Sequence, residues 1–415
     1  MTKRTLPVLT AAAALALAFQ PATADDWPGW RGPDHTCVSK ETGLLKQWPA
    51  GGPKRLWVNE NAGIGFAGFA VADGKLFTIG SRDGSELLIA LNADTGKELW
   101  ATKVGDNYVN AWGDGPRSSP TVDNGMVYAM SANGDLICAK AANGSEVWRA
   151  DMKKLGGEIP KWGYSESVLV DGDKVICTPG GSQGAVVAFN KKTGSIVWQS
   201  KGFTDGAQYV SMIPIDHDGK RQYVQLTMNS LVGLDAKSGK VLWQSEWPGR
   251  TAVIPTPIHR DGKIYITTGY GVGCKQVQLS PGGKVEDVWT NKVMKNHHGG
   301  VILVGDHLYG YSDGAGWVCQ DFATGERVWS ERKALGKGAV FSAEGMLYCL
   351  DERDGTLALV KASPKGWEEH GRFKIDPQTK IDRKRGKIWT HPVVANGKLY
   401  LRDQEYISCY DVKAR

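Results

Sequence analysis

One short pattern recurs along this chain: two apolar runs are separated by a polar turn that contains a glycine, and the second run ends on tryptophan. Clear copies end at Trp100, Trp148, Trp198, Trp243 and Trp329. Within each copy the apolar residues alternate as they do in a β-strand, and the glycine lies where a tight turn needs positive φ. The repeated unit is therefore a β-hairpin, which restricts the chain to an all-β fold built from copies of one unit.

The closing positions of the repeat run along most of the chain at intervals of 40 to 50 residues. They are Trp57, Trp100, Trp148, Trp198, Trp243, Trp289, Trp329 and, with phenylalanine in place of tryptophan, Phe373. Each interval also contains a first strand and, after an Asp-Gly or Asn-Gly turn, a second strand rich in β-forming residues. A period of this length with four strands per unit predicts an eight-bladed β-propeller over residues 54–415.

The two ends of this region are complementary. Residues 54–60 resemble the last strand of a repeat, whereas residues 389–415 contain three strands and stop where a fourth is expected. The N-terminal strand is therefore predicted to complete the eighth blade, which removes the open edges of a linear array. Residues 25–53, which contain the sequence DWPGWRGP, are predicted to form an irregular arm that covers one end of the channel.

The first 24 residues have the organisation of a secretory signal. Lys3 and Arg4 precede an uncharged run over residues 6–19, and the small residues 22–24 follow. We expect cleavage after Ala24 and export of the protein to the periplasm or the cell exterior. No later stretch approaches the roughly 20 apolar residues of a transmembrane helix, and no cysteine follows the cleavage point, so a lipid anchor is not expected.

Charge and cysteine usage argue against a nucleic-acid-binding protein and against a fold held together by disulfides. The formal charge of +6 falls to about +4 without Lys3 and Arg4 and is spread along the chain, which argues against a nucleic-acid partner. The one basic run, residues 380–387, is predicted to be a solvated loop. Five of the seven cysteines fall in equivalent strands of different repeats, where they act as small buried hydrophobes rather than as a disulfide framework. Cys37 and Cys274 are predicted to lie in loops and are the two candidates for pairing.

The pattern D/N-A-x-T/S-G-K-x-x-W, complete at residues 92–100 and 235–243, resembles the tryptophan-docking motif of the pyrroloquinoline-quinone-like (PQQ-like) β-propeller repeat family. The resemblance covers residues 54–412. That family includes quinoprotein alcohol dehydrogenases, a propeller lipoprotein of the outer-membrane assembly machinery, and secreted members of unknown role, which this sequence resembles most. The resemblance implies a binding or scaffold module that acts on an envelope protein or a small molecule. The alternative is a PQQ-dependent dehydrogenase of alcohols or polyols.

A binding site is expected at one mouth of the central channel. In a propeller the inner strands line the channel, and the loops before them meet at one mouth with the loops that join the second and third strands. The candidate site residues are Arg117, Trp162, Tyr164, Glu166, Tyr209, His297, His298, Lys337, Trp389 and His391. Because neighbouring residues of a strand point to opposite faces, only one of His297 and His298 is expected to face the channel.

Two cofactor hypotheses arise from these residues. The three histidines, with Glu166 as a further ligand, are suited to a transition metal, but the alternative is that they are hydrogen-bonded within a wet channel mouth. The family resemblance implies PQQ with calcium, which needs an aromatic floor, cationic partners and carboxylate ligands. The candidates are Trp112, Trp162, Trp317 or Trp389 for the floor, Arg117 and Lys337 for the cations, and Glu166 for the carboxylate. The chain lacks the adjacent cysteine pair common in the dehydrogenases and has no C-x-x-C-H haem motif, so the sequence assigns no catalytic residue.

Overall fold

The computed structural model describes residues 26–414, so the predicted signal segment lies outside the described residues. Within that range the chain forms 33 β-strands and two short 3₁₀ turns, Met152–Leu155 and Pro281–Gly283. The strands make eight antiparallel sheets of four strands, one of which carries a fifth strand. The predicted eight-bladed propeller is therefore confirmed. None of the helices in this part of the chain has the length and apolar character to cross a membrane.

Two strands precede the first complete blade: β1 (Val38–Ser39) in the arm and β2 (Lys54–Asn59). The first blade contains β3 (Ala70–Ala72), β4 (Lys75–Arg82), β5 (Ser85–Asn92) and β6 (Glu98–Asp106). The second contains β7 (Thr121–Asp123), β8 (Met126–Met130), β9 (Asp135–Lys140) and β10 (Glu146–Asp151). The third contains β11 (Leu169–Asp171), β12 (Lys174–Cys177), β13 (Val187–Asn190) and β14 (Ile196–Gln199). The fourth contains β15 (Ile213–His217), β16 (Lys220–Leu226), β17 (Ser230–Asp235) and β18 (Val241–Glu246).

The remaining blades follow the same order. The fifth contains β19 (Ile258–Arg260), β20 (Lys263–Thr268), β21 (Gly273–Ser280) and β22 (Lys284–Asn291). The sixth contains β23 (Val301–Val304), β24 (His307–Ser312), β25 (Gly316–Asp321) and β26 (Arg327–Glu331). The seventh contains β27 (Gly338–Ala343), β28 (Met346–Asp351), β29 (Thr356–Lys361) and β30 (Glu369–Lys374). The eighth combines β31 (Val393–Ala395), β32 (Lys398–Asp403) and β33 (Tyr406–Asp411) with the N-terminal β2.

The core of the protein lies between neighbouring blades. The second and third strands of each blade are buried on both faces, and their apolar side chains pack against those of the next blade. Between the first two blades, for example, Phe77 and Ile79 of β4 belong to the same apolar cluster as Val127 and Ile137 of the second blade. Removal of this surface from water stabilises the ring of blades.

Six of the seven closing tryptophans dock on the following blade. Trp57 Nε1 donates to the Ala93 carbonyl at 3.1 Å, and a Cβ atom on Gly96 would come within 2.4 Å of its ring. The equivalent ring and glycine pairs are Trp100 with Gly144, Trp148 with Gly194, Trp198 with Gly239 and Trp289 with Gly325, whereas Trp329 Nε1 donates to Ser363 O at 2.8 Å. The glycines of the repeat therefore have two roles: they allow the tight turn, and they leave room for the tryptophan ring of the preceding blade.

Trp243 is the exception among the closing tryptophans. Its Nε1 donates to Gln222 Oε1 of its own blade at 2.7 Å, and its ring lies against Gly233. The facing turn of the fifth blade has the sequence PGGK instead of an ATG-type turn, and Gly283 lies against the carbonyl of Leu242. The fourth and fifth blades are therefore joined without a docked tryptophan.

The eighth blade closes the ring, because β2 pairs with β33 in antiparallel register. Beside this junction Arg402 is fully buried, and its guanidinium lies within hydrogen-bond distance of six acceptors. Its acceptors are the carbonyl oxygens of Ala62, Gly63, Ala67, Ile79 and Gln404 and the hydroxyl of Thr78, at 2.8 to 3.4 Å. Burial lowers the pKa of Arg402 to about 9. This side chain links the eighth blade to the first.

The arm lies across the channel and contacts the inner segments of several blades. Trp27 bridges to Val71 of β3, and Val122 N donates to the carbonyl of Pro28 at 2.7 Å. Further along, β1 pairs in parallel with β27 as a fifth strand of the seventh blade. The arm then reaches the rim of the propeller, where Trp48 packs edge-on against Phe373 at 5.2 Å between ring centroids.

All seven cysteines are free and buried. Cys37 lies in the arm with its sulfur 3.7 Å from the carbonyl oxygen of Val340. The expectation that Cys274 lies in a loop is wrong, because this residue pairs with Thr267 inside the ladder between β20 and β21. The clustered glycines before Cys274 suggested a loop. The long strands of the fifth blade extend their ladder as far as Gly273 and so include Cys274.

Candidate functional site

A cavity of about 350 Å³ opens at the channel mouth formed by the segments that precede the inner strands. We call it the mouth cavity. Its walls consist of Phe66, Gly68, Trp112, Arg117, Ser119, Trp162, Ser165, Ser167, Tyr209, Ser211, Thr251, Ala252, Ile254, Pro255, Thr256, Tyr270, His297, His298, Gly299, Gly300, Trp389 and His391. Trp30 and Arg31 of the arm also line it. Since the arm bonds to the inner strands deeper in the channel, these two residues form the floor.

The walls have two tiers because the segments before the inner strands are extended. Residues two positions apart face the same side of an extended chain, as in the pairs Arg117 and Ser119, Ser165 and Ser167, Tyr209 and Ser211, and Trp389 and His391. The inner serines connect blades: Ser167 Oγ accepts from Ser119 N at 2.8 Å, and Ser211 Oγ accepts from Ser167 N at 2.9 Å. The outer tier is left to contact a ligand.

Seven of the ten residues proposed from the sequence line the mouth cavity: Arg117, Trp162, Tyr209, His297, His298, Trp389 and His391. Lys337 lies behind the wall, where its Nζ is 3.0 Å from His297 Nδ1 and 2.7 Å from Asp313 Oδ1. The structure places Tyr164 and Glu166 between blades, because they alternate with the serines at positions 165 and 167 that face the cavity.

Both of these inter-blade side chains have protein partners. The Tyr164 hydroxyl donates to Pro179 O at 2.9 Å. The Glu166 carboxyl group is bonded to the amide and hydroxyl of Thr178, at 2.6 and 3.1 Å, and to Gln225 Nε2 at 3.3 Å. Burial raises the pKa of Glu166 to about 8, although these hydrogen bonds act to lower it. Glu166 is therefore mostly protonated at neutral pH and is occupied by the scaffold.

One wall of the mouth cavity is formed by histidines. His298 lies between His297 and Trp389, with ring centroids 3.8 and 4.6 Å away. The expectation that only one of His297 and His298 faces the channel is wrong, because the pair lies in the loop before β23, where Gly299 and Gly300 have positive φ. Burial, aided by the Lys337 charge, lowers the pKa of His297 to about 4. Burial also lowers the pKa of His298 well below its usual value, so both rings are neutral near pH 7.

The described histidines, cysteines and acids do not assemble a metal site. Across residues 26–414 no group of three or more such side chains is placed to hold a metal ion. His298 Nδ1 is 3.7 Å from Glu352 Oε2, and burial raises the pKa of Glu352 to about 7. The His298 ring is neutral near pH 7 and the Glu352 carboxyl group is partly protonated. This pair behind the cavity wall therefore does not favour a metal ion.

The lining of the mouth cavity is aromatic and cationic, and no Asp or Glu is among its described residues. Arg117 donates hydrogen bonds to the carbonyls of Gly113 and Gly115, at 2.7 and 2.5 Å, which hold its side chain in place. Its guanidinium lies 5.3 Å from the centroid of the Phe66 ring. This lining fits an aromatic body. It does not fit calcium-bound PQQ, because residues 26–414 place no carboxylate in the cavity wall and the oxygens of Glu166 are engaged elsewhere.

Several lining residues were not anticipated from the sequence. They are Trp30 and Arg31 of the arm, Tyr270, and the loop residues Thr251, Ala252, Ile254 and Pro255. Trp317, proposed for the floor, lies instead in β25 and donates to Gly336 O at 3.0 Å. The sequence predicted that the arm covers one end of the channel. The signal for Arg31 itself was its position inside the otherwise apolar WPGWRGP segment, because a buried segment rarely contains a charge.

Comparison with known proteins identifies relatives. The family model described as outer membrane protein assembly factor BamB matches residues 47–154 and 110–331. The outer membrane protein assembly factor BamB of Yersinia pestis is 25% identical over 236 residues, which cover 53% of this chain and 56% of that protein. The quinoprotein ethanol dehydrogenase of Pseudomonas aeruginosa is 25% identical over 347 residues, which cover 72% of this chain and 52% of that protein. The chain thus spans about half the length of these curated relatives.

A solved structure supports the fold. BamB from Moraxella catarrhalis aligns with a TM-score of 0.59 at 17% identity and covers 83% of this chain and 96% of that chain. At this identity the likeness establishes a shared architecture alone.

Proposed function

Because the chain belongs to the PQQ-like β-propeller repeat family whose model is named for the outer membrane protein assembly factor BamB, we propose that it is a non-catalytic binding module. In this proposal the mouth cavity takes up an aromatic ligand. The observation that carries the proposal is the cavity of about 350 Å³, which has aromatic walls and no carboxylate among the lining residues that the structure describes.

The walls are suited to an aromatic body. The rings of Phe66 and Trp389 lie 4.9 Å apart, and those of Trp162 and Tyr209 lie 5.8 Å apart. Rigid aromatic side chains provide large contact area with little loss of side-chain entropy on binding. The volume lies at the lower end of the roughly 300 to 1,000 Å³ typical of small-molecule sites. A free aromatic molecule fits this description, and so does an aromatic side chain presented by an envelope protein.

Export is part of the same proposal. Residues 1–24 act as a signal, residues 25–53 as the arm and residues 54–415 as the propeller, and the mature protein works in the periplasm or outside the cell. N-terminal sequencing of the protein from its native host tests this division, with Asp25 expected as the first residue. An N-terminus at Met1 would contradict cleavage.

The dehydrogenase alternative has less support. A calcium-dependent quinone site needs carboxylate ligands, and the described lining of the mouth cavity contains none. We therefore derive no catalytic step. Titration with PQQ, with and without calcium, followed by dye reduction with simple alcohols, separates the two functions. No turnover is expected, and calcium-dependent turnover would replace the binding proposal.

Calorimetric titration with neutral aromatic probes such as indole and naphthol tests the proposed function directly. Ser165→Phe places a large side chain in the cavity, and the exposed Ser195→Phe on the outer turn of the same blade is the matched control. We expect Ser165→Phe to weaken binding by about tenfold or more, the result of lost volume and lost contact area, while the control leaves it unchanged. Equal binding by both variants would refute a site in the mouth cavity.

A further inference from the structure

We propose that the floor of the mouth cavity is a subsite for a single carboxylate, formed by Arg31 and His391. The inference rests on the proposed function and adds the chemical class of the ligand, which is an aromatic monocarboxylic acid. Its ring would lie between the aromatic walls, and its carboxylate would point down the channel toward the arm.

Backbone carbonyls hold the guanidinium of Arg31 in place and leave its Nη1 group to donate to a ligand. Its side chain is buried, Nε donates to His35 O at 3.1 Å, and Nη2 donates to the carbonyls of Thr36 and Val301 at 3.0 and 3.1 Å. Nη1 makes none of these hydrogen bonds, and no carboxylate within residues 26–414 is placed to pair with the guanidinium. A buried cation that has only neutral acceptors is destabilising unless an anion approaches it.

His391 converges on the same point. A Cβ atom on Gly300 would lie 3.6 Å from Arg31 Nη1 and 3.4 Å from His391 Cε1, so the missing side chain leaves a gap that both residues face. His391 Nδ1 is buried and has no hydrogen-bond partner among the described residues. Arg31 Nη1 and the unpartnered His391 Nδ1 are donor groups beside the same gap, which is therefore suited to an acceptor-rich group.

The floor is held in place by the arm. The Trp30 ring packs edge-on against His391 with centroids 4.8 Å apart, and Trp30 Nε1 donates to Thr256 Oγ1 at 3.0 Å. These contacts fix the imidazole beside Arg31 before any ligand arrives. Preorganised donors of this kind bind an anion without a further ordering step.

The chemistry of the gap selects a carboxylate. A guanidinium nitrogen and an imidazole N–H can each donate to one carboxylate oxygen, and charge-assisted hydrogen bonds are about twice as strong as neutral ones. Burial, followed by the neighbouring Arg31 charge, lowers the pKa of His391 to about 3, so the ring is neutral and can carry its proton on Nδ1. Because the lining has no Asp or Glu, nothing in the described walls competes for these donors.

Calorimetric titration at pH 7.5 with indole-3-acetate and its neutral isostere indole-3-acetamide tests the inference. The wild-type protein is expected to bind the carboxylate about tenfold or more tightly than the amide. Arg31→Met and His391→Gln should each reduce this preference to about twofold. Arg327→Met, at an exposed site on β26, is the matched control and should retain the full preference.

The outcomes separate this inference from the proposed function. Equal affinity of the wild-type protein for the two probes would overturn the carboxylate subsite and leave the binding function in place. Binding of neither probe would overturn both. A preference that persists in both variants would overturn the assignment to Arg31 and His391. Circular dichroism and Tm verify folding, and if Arg31→Met fails to fold, His391→Gln carries the test alone.

Discussion

Glu166→Gln should change how the stability of the protein depends on pH. Burial raises the pKa of Glu166 from 4.5 to about 8. Between these values the folded state holds a proton that the unfolded state has released, so this group makes the free energy of unfolding fall as pH rises. The slope is about 1.4 kcal/mol per pH unit, and the loss between pH 5.5 and 8.5 amounts to about 3 kcal/mol. Glutamine cannot titrate and removes this contribution.

Urea unfolding, followed by tryptophan fluorescence at pH 5.5, 6.5, 7.5 and 8.5, measures the effect. The free energy of unfolding of Glu166→Gln minus that of the wild type should increase by about 3 kcal/mol across this range, whatever its value at pH 5.5. The exposed Glu326→Gln is the control, and its difference from the wild type should stay within about 0.5 kcal/mol at every pH. A constant difference for Glu166→Gln would show that the buried carboxyl group does not carry the proton, and the reasoning would fail.

Three further predictions concern the blades, the arm and the ring closure. In urea unfolding, Gly194→Ala should destabilise the protein by about 2 kcal/mol more than Gly172→Ala. Both glycines have positive φ, but only at position 194 would a Cβ meet a docked tryptophan ring. Equal losses of stability would contradict the docking. Deletion of residues 26–50 should lower Tm by about 5 °C or more in scanning calorimetry, since the arm contributes buried side chains, and an unchanged Tm would show that the arm does not stabilise the ring. Arg402→Met should reduce the free energy of unfolding by about 3 kcal/mol or more, because it leaves buried carbonyls without donors, whereas Arg327→Met should not, and a loss below about 1 kcal/mol would refute the closure role.

The propeller could be predicted because its determinants are local. Five copies of the repeat contain a turn glycine and a closing tryptophan within ten residues, so the period is visible without knowledge of distant contacts. Even the substitution of tryptophan by Phe373 in the seventh blade followed from the interval alone. The departure at Trp243 was visible in principle, since the turn that faces it has the sequence PGGK instead of an ATG-type sequence. Its consequence was not visible, because the alternative acceptor on Gln222 lies on another strand of the blade.

The mouth cavity was predictable only in outline. The segments before the inner strands were located correctly. In the third blade the alternation of side chains was assigned to the wrong face, so Tyr164 and Glu166 were proposed where Ser165 and Ser167 line the cavity. The histidine loop departs from strand geometry at two glycines, and pattern alone does not fix that bend. The floor depends on a contact between Arg31 and Val301, 270 positions apart, which no local pattern records.

The completion of the eighth blade by β2 has a consequence for biosynthesis. The strand that pairs with β2 is β33, which is made about 350 residues later. At about 5 to 20 residues per second, roughly 20 to 70 seconds of translation separate the two strands. Throughout that time the nascent chain carries an unpaired strand and an open ring, so its earliest segment must be kept from the wrong neighbours until the last one emerges. The pairing of β2 with β33, which closes the finished ring, is thus the feature that makes the growing chain most dependent on protection.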